Sequence, residues 1–472
     1  MQRKLVMKFG GTSVGDGTRI AEVVKIVQTN LAAEDHIAVV VSAMSGVTNS
    51  LLAAAKVAAS GRQSEYEALC QEVLRKHRLA VFELVKDAVR GESLLKEIEL
   101  LIEHNCSRLC YGIQILGEVP PRALDAIAAV GERLSARLVA AALVAAGTTA
   151  EAVEATELIV TDDNYGDATP LMAETEVRLG ARLLPLWERG IVPVITGFIG
   201  ATRAGVTTTL GRGGSDYSAG IIGSCLKADE VWIWTDVDGV MTADPSIVPG
   251  ARTLSEISYS EAAELSYYGA KVLHPKTILP VVRDEIPLII KNSFHPERAG
   301  TRIAAHAQAS TTDVKAITAI TGVSLITISG RGMMGVPGIA AKTFSAVASQ
   351  QVNVLMISQS SSENNICFVI NTTEVERTTT MLRRALEVEF HHKHVEDIMV
   401  QNEVAIISVV GERMKGTPGI AARIFGAVGH SGANVIAIAQ GSSELNISFV
   451  VERHDVPRAI RTIHDELQLD RG

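Results

Sequence analysis

The chain has 472 residues, with 44 Lys and Arg against 53 Asp and Glu, a net charge of −9, and 47% hydrophobic residues. At roughly 150 residues per domain the length suggests about three domains, and the apolar fraction excludes a disordered chain. The acidic balance argues against affinity built on nucleic-acid phosphates, and no apolar run approaches the ~18 residues that cross a bilayer. The opening MQRKLVMKFGG has too short an apolar stretch for a signal peptide. Five cysteines (Cys70, Cys106, Cys110, Cys225, Cys367) form no CxxC and no His/Cys cluster along the sequence. An odd, scattered set reads as small buried hydrophobes in a reducing compartment, so the expectation is a cytoplasmic protein without membrane or nucleic-acid partners.

Residues 4–9 (KLVMKF) form an apolar run ending at Gly10-Gly11. A helical pattern follows at Ile20, Val23, Val24 and Val27, and a second apolar run, 37–41, ends in Ser42. Strand, loop, helix and strand in that order predict an α/β domain with a mostly parallel sheet. Residues 50–145 are rich in Ala, Leu, Glu and Arg, which predicts a mainly helical stretch over 57–116 and one further helix over 123–146. Strand-like runs return at 157–160, 192–195, 231–234 and 286–290, so the α/β domain extends to about residue 303.

After the small, polar linker 306–316 the texture changes. Segment 325–370 realigns with 406–451 at a constant offset of 81, with 23 identities in 46 positions and no gap. The match includes GVPGIAAKTF against GTPGIAARIF and ISQSSSENNICF against IAQGSSELNISF, which marks a duplication. Each copy reads as strand, Gly-rich turn, helix, strand, strand and helix, a small ferredoxin-like unit. A candidate last strand, 395–401, closes the first copy. The second copy lacks one, and the orphan run 314–320 is expected to complete it, so the two units are interleaved. The expected division is 1–303, 314–401 and 402–472.

The chemistry-bearing residues fall in the loops. In KFGGTS, Gly10 and Gly11 let backbone amides approach a phosphate, a helix N-terminus follows, and Lys8 supplies a positive charge; a plain Gly-Gly turn is the other reading. There is no GxxxxGK[ST], HRD or DFG, which excludes a P-loop enzyme and a protein kinase. In TTTLGRGGSDYSA, Arg212, Ser215 and Asp216 suit a zwitterion, with Arg forking onto a carboxylate and Asp holding an ammonium; a loop with a surface ion pair is the bland alternative. Ser42 and Thr48 lie beyond a strand end, where open α/β sheets bind ligands, yet such residues are also ordinary turn formers. WTDVDGV puts Thr235 and Asp236 after a buried strand, GAKVLHP adds Lys271, and Glu132 follows Gly131 at the opening of a helix.

Together KFGGTSVG, VSAMSGVTN, GER, TGFIG, TTLGRGGSD, WTDVDGV and GAKVLHP stand in an order that resembles the aspartate kinases of the amino-acid kinase family. The tail resembles their paired ACT modules, and the likeness spans essentially the whole chain. The resemblance implies a three-layer α/β sandwich with a mostly parallel central sheet, followed by two ferredoxin-like (βαββαβ) ACT modules. It implies transfer of the γ-phosphoryl group of ATP, with Mg²⁺, to the β-carboxylate of L-aspartate, the first step toward lysine, threonine and methionine. By the family pattern Lys8 and Lys271 stabilise the phosphates and Gly10 and Gly11 cradle them. Thr235 and Asp236 lie at the nucleotide. Ser42, Thr48, Glu132, Phe198, Thr209, Arg212 and Asp216 surround aspartate, with Lys8, Asp216 and Lys271 as the catalytic set and no side-chain metal ligands. In the tail, Asn353, Gln359, Asn434 and Gln440 are implied at effector sites, with threonine favoured over lysine, and the ACT modules imply a homo-oligomer. Relatives fused to homoserine dehydrogenase share the ISQSSSE texture, but no dehydrogenase half is expected here. Two departures, Met241 and Ser246, replace a Tyr and an Arg common among relatives. They leave a catalytically decayed amino-acid sensor as the alternative.

Overall fold

The computed structural model describes residues 3–31, 36–269, 275–305, 313–359 and 364–471, and of Pro275 the backbone alone. Close contacts divide the chain into two compact units. The first holds Met1–Val240, Ser255–Tyr259 and Val272–Ala307; the second holds Met241–Leu254, Ser260–Lys271 and Gln308–Gly472. The division is not a single cut. Segment Met241–Leu254 joins the tail because Ile317 donates its amide to the Thr242 carbonyl (2.8 Å), buried His464 Nε2 meets the Thr242 hydroxyl (3.0 Å), and Arg252 donates to the Leu469 carbonyl (2.9 Å).

In the first unit the strands are β1 (Lys4–Phe9), β2 (His36–Val41), β3 (Ala150–Val153), β4 (Val160–Thr161), β5 (Val192–Thr196), β6 (Ile199–Thr202), β7 (Thr207–Thr209), β8 (Glu230–Thr235), β9 (Glu256–Ser258), β10 (Leu288–Asn292) and β11 (Thr301–Ala304). Eight of them form one sheet in the order β3-β5-β2-β1-β8-β10-β11-β9, all neighbours parallel except β10 and β11. β4, β6 and β7 form a small second sheet. The helices are α1 (Gly17–Asn30), α2 (Val47–Ala59), α3 (Gln63–Leu84), α4 (Ala88–Ile102), α5 (Arg108–Leu116), α6 (Pro121–Ala128), α7 (Val130–Ala145), α8 (Ala155–Leu158), α9 (Met172–Glu188), α10 (Gly214–Leu226), α11 (Tyr259–Tyr267) and α12 (Pro275–Arg283). β1 and β2 are buried along almost their whole length, as strands covered on both faces must be. The chain steps from β1 to β2 on one side and later places β8 on the other. The carboxyl ends of β1, β2 and β8 therefore flank a topological switch point.

Three expectations are corrected. The run 157–160 is not a strand: the helical turn α8 holds Ala155–Leu158, anchored by the Ala155 amide on Thr196 Oγ1 (2.7 Å), and only Val160–Thr161 is extended. The single helix over 123–146 is two, α6 and α7, divided at Ala129. The cysteines are scattered in sequence but not in space, because α3, α5 and a π-helical turn at Glu103–Ser107 bring Cys70, Cys106 and Cys110 together in the core.

The second unit carries β12 (Ala316–Ser329), β13 (Met356–Gln359), β14 (Asn365–Asn371), β15 (Asp397–Val410), β16 (Ala437–Gln440) and β17 (Asn446–Glu452). They form an antiparallel sheet in the order β13-β14-β12-β15-β17-β16. Its helices are α13 (Ile339–Ser349), α14 (Val375–Ala385), α15 (Glu387–His391), α16 (Ile420–His430) and α17 (Val456–Glu466). β12 and β15 are long strands that each serve both repeats. The first part of β12, from Ala316 to Ile320, pairs with the last part of β15, and its remainder pairs with the start of β15 after a register shift at Ile320/Val323. Among the described residues no helix is long and apolar enough to cross a membrane.

Equivalent glycines close each repeat: a Cβ on Gly330 would run into the His394 carbonyl oxygen, and one on Gly411 into that of Asp313. Gly411→Ala should therefore destabilise the second unit by about 1–3 kcal/mol, read as a lower urea midpoint. Gly426→Ala, in an exposed interior turn of α16 with open space around it, should instead stabilise it by about 0.5–1 kcal/mol. Equal midpoints for the two variants would contradict the packing.

Candidate active site

A cavity of about 410 Å³ opens where the carboxyl ends of β1, β2 and β5 meet the start of α10. Lys8, Gly11, Ser42, Thr48, Glu132, Phe198, Arg212 and Asp216 all line it, drawn from five separate stretches of sequence. β1 is held on both sides by β2 and β8, so Lys8, 7% exposed, is fixed in the sheet, and its ammonium forms an ion pair with Asp216 in the first turn of α10. Arg212, exposed, stands on the preceding loop. Gly214, Ser215 and Asp216, which open α10, line the same cavity, and the N-terminal end of a helix favours an anion. The helix behind KFGGTS does not serve that purpose. α1 begins only at Gly17, and the Asp16 carboxylate already caps it by accepting from the Arg19 amide (2.8 Å).

Close backbone approach shapes the walls. A Cβ on Gly131 would lie 2.6 Å from Ala43 Cβ, and one on Gly197 2.8 Å from Ser215 Cβ. Phe198 has φ of +68°, a conformation costly for a side chain of that size. It is held by its amide on Ser218 Oγ (3.0 Å) and by its carbonyl, which accepts from the Leu210 amide (2.9 Å).

Glu132, in the first turn of α7, is 4% exposed, and its Oε2 has no hydrogen-bond partner among the described residues. Burial pushes its carboxyl up to about 8, against the opposing pull of the Ala43 and Glu132 amides and the Lys8 charge. A neutral buried carboxyl beside a cationic lysine is poised to ionise when a ligand cation reaches it.

Thr209, Gly10, Thr235 and Asp236 do not line this cavity. Thr209 is turned the other way: its hydroxyl and amide both donate to the Asp125 carboxylate, at 2.9 Å each. Gly10 donates its amide to the Trp234 carbonyl (3.0 Å), which ties the KFGGTS loop to the end of β8, where Thr235 and Asp236 follow. Lys271 lies outside the described residues. Asn353 and Asn434 occupy equivalent exposed loop positions, and Gln359 and Gln440 end the two outer strands β13 and β16. Sequence reasoning missed Asp125. This buried carboxylate also accepts from the Gly166 amide (3.0 Å), and nothing in PPRALDA distinguishes it from a surface acid.

The amino acid kinase family model matches residues 3–292, and the ACT domain model matches 326–386 and again 407–467. Aspartokinase 1 of Arabidopsis thaliana, a chloroplastic protein, is 34% identical over 97% of this chain and 79% of its own length. The chain belongs to the aspartate kinase family. Among the other aspartate kinases, the chloroplastic bifunctional aspartokinase/homoserine dehydrogenase 2 of Zea mays is 37% identical over 99% of this chain. The chain spans about half the length of such bifunctional relatives, 51% of this one. E. coli aspartokinase III, solved in complex with aspartate and ADP, superposes with a TM-score of 0.79 at 29% identity, covering 99% of this chain and 100% of that one. The same enzyme in complex with lysine and aspartate gives 0.78 at 30% identity over 98% and 99%.

Glu132 also sets a pH dependence. Its carboxyl rises from the ordinary 4.5 to about 8, so the folded protein keeps a proton that the unfolded chain has lost. Stability from this group is complete below about 4.5, falls as the pH rises, and levels off above about 8. Glu132→Gln cannot ionise. Thermal melts of the ligand-free variant should exceed wild type by a margin that widens between those two values, and a margin independent of pH would contradict a neutral Glu132.

Proposed function

We propose that the chain transfers the γ-phosphoryl group of ATP to the β-carboxylate of L-aspartate, giving ADP and 4-phospho-L-aspartate. One observation carries the reading. A single cavity gathers two cations, Lys8 and Arg212, with the Asp216 carboxylate and the buried carboxyl of Glu132, whose Oε2 has no partner among the described residues. That set matches a dicarboxylic amino acid: Arg212 takes a carboxylate, while Glu132 and Asp216 take the ammonium. The aspartate and ADP bound by the E. coli relative support aspartate and an adenine nucleotide as the ligands.

The acceptor carboxylate, with an ordinary pKa near 4, is already ionised at neutral pH, so no general base is required. The barrier lies in bringing this anion against a triphosphate. Lys8 is the side chain we assign to neutralise charge where the two meet, and the N-terminal end of α10 adds a favourable dipole. We assign Lys271, Thr235 and Asp236 to the nucleotide. Mg²⁺ suits the phosphates better than the protein here, since of the two carboxyl groups lining the cavity Asp216 is paired with Lys8 and burial disfavours the charged form of Glu132.

We assign residues 1–303 to catalysis and the two interleaved ACT modules to regulation, with feedback inhibition by threonine first and lysine second. Asn353, Gln359, Asn434 and Gln440 are the effector contacts, at positions repeated 81 residues apart. Ile357 and Ile438, about half exposed on β13 and β16, support assembly through these modules into a homo-oligomer.

A coupled ADP-release assay with aspartate, glutamate or UMP as acceptor tests the reaction. Release should depend on aspartate alone, and no acceptor-dependent release would leave the sensor reading. Threonine at about 10 mM should suppress the rate; an unchanged rate would sink the effector assignment. Lys8→Ala and Asp216→Ala should each lower kcat by at least about 100-fold while retaining a cooperative melt. Near-normal turnover in either would refute its role.

A further inference from the structure

Away from the active-site cavity, three nucleophilic side chains converge in the core of the first unit. Cys70 comes from α3, Cys106 from the π-helical turn Glu103–Ser107, and Cys110 from α5. Their exposures are 3%, 0% and 0%. The three sulfurs all lie within 4.8 Å of one another, and Cys70 Sγ and Cys106 Sγ approach to 3.1 Å. That approach puts two nucleophilic sulfurs in direct contact, and either thiol can be the donor. The π turn makes the convergence possible. One wider turn between α4 and α5 sets Cys106 and Cys110 on a common face toward α3, and such bulges recur at binding sites.

Three sulfurs bonded at about 2.3 Å to one central atom stand about 3.5–4 Å apart, within the 4.8 Å limit of the cluster, and binding would open the 3.1 Å Cys70–Cys106 approach by about half an ångström. Soft sulfur ligands exclude Mg²⁺ and Ca²⁺. Charge decides among soft centres. Three thiolates around Cu(I) leave two negative charges in an apolar core, and around Zn²⁺ they leave one, with no fourth His, Cys or carboxylate in the group among the described residues. A trivalent centre leaves none.

We propose that Cys70, Cys106 and Cys110 form a three-thiolate binding site for a thiophilic trivalent metalloid, arsenic(III), held as a neutral adduct. Arsenous acid, As(OH)₃, supplies the centre. Three As–S bonds form, three As–O and three S–H bonds break, each departing hydroxide takes one thiol proton, and three waters leave with no change in oxidation state. The product is uncharged and links α3, the π turn and α5 through one atom, so binding favours the folded chain.

The test is incubation of the folded, full-length wild type with arsenite, removal of free arsenite and native mass spectrometry. One arsenic should be retained per chain, the Tm should rise, and three of the five cysteines should then fail to react with a thiol reagent after unfolding. Cys225→Ser should retain the arsenic, and Cys70→Ala, Cys106→Ser and Cys110→Ala should each lose it, with a melt confirming the fold of each. Zn²⁺ in the same assay should not be retained. An arsenic-free wild type, a lowered Tm (which marks binding to the unfolded chain), retention in all three variants, or retention of Zn²⁺ instead would each overturn the proposal.

Discussion

The active-site cavity depends on the ion pair between Lys8 and Asp216. Lys8 is the penultimate residue of β1, and Asp216 belongs to the first turn of α10, so the pair ties the middle of the sheet to a helix that starts some 200 residues later in the chain. Both partners are largely shielded from water, which makes either charge alone costly and the pair tolerable. The pair holds the Lys8 ammonium at a position where phosphate can compete for it.

The walls around that pair follow from the same economy of space. Gly131 lets α7 close on the loop after β2, and Gly197 lets the end of β5 approach Ser215. Phe198 accepts a left-handed backbone because Ser218 and Leu210 hold both of its peptide groups. Glu132 enters by way of the α7 contact: packing against Ala43 buries its carboxyl beside Lys8 and keeps it protonated until something cationic arrives. Close packing and a raised pKa are thus one feature, since room for water would remove both.

In the second unit the governing constraint is strand continuity. β12 and β15 each run through both repeats, so neither repeat owns a complete sheet. Val323, Leu325, Met356, Val369, Val404, Ile406 and Val450 form one apolar cluster drawn from both copies.

Short-range order was legible in the sequence. Buried parallel strands announce themselves as apolar runs, glycine pairs mark where backbone closes on a ligand, and a gapless repeat at an offset of 81 shows a duplication, because each depends on residues near one another in the chain. Lys8, Gly10, Gly11, Arg212 and Asp216 could be singled out from the glycine-rich motifs KFGGTS and GRGGSD, while Phe198 and Thr209 are named only through the family resemblance. Only the tertiary structure decided what those residues face. It set Thr209 on Asp125 rather than in the cavity, left α1 capped by Asp16, and gathered Cys70, Cys106 and Cys110 across a π turn. Burial, the direction of a side chain and the pKa of Glu132 are properties of neighbours far apart in sequence. They exist once the sheet has placed β1 between β2 and β8.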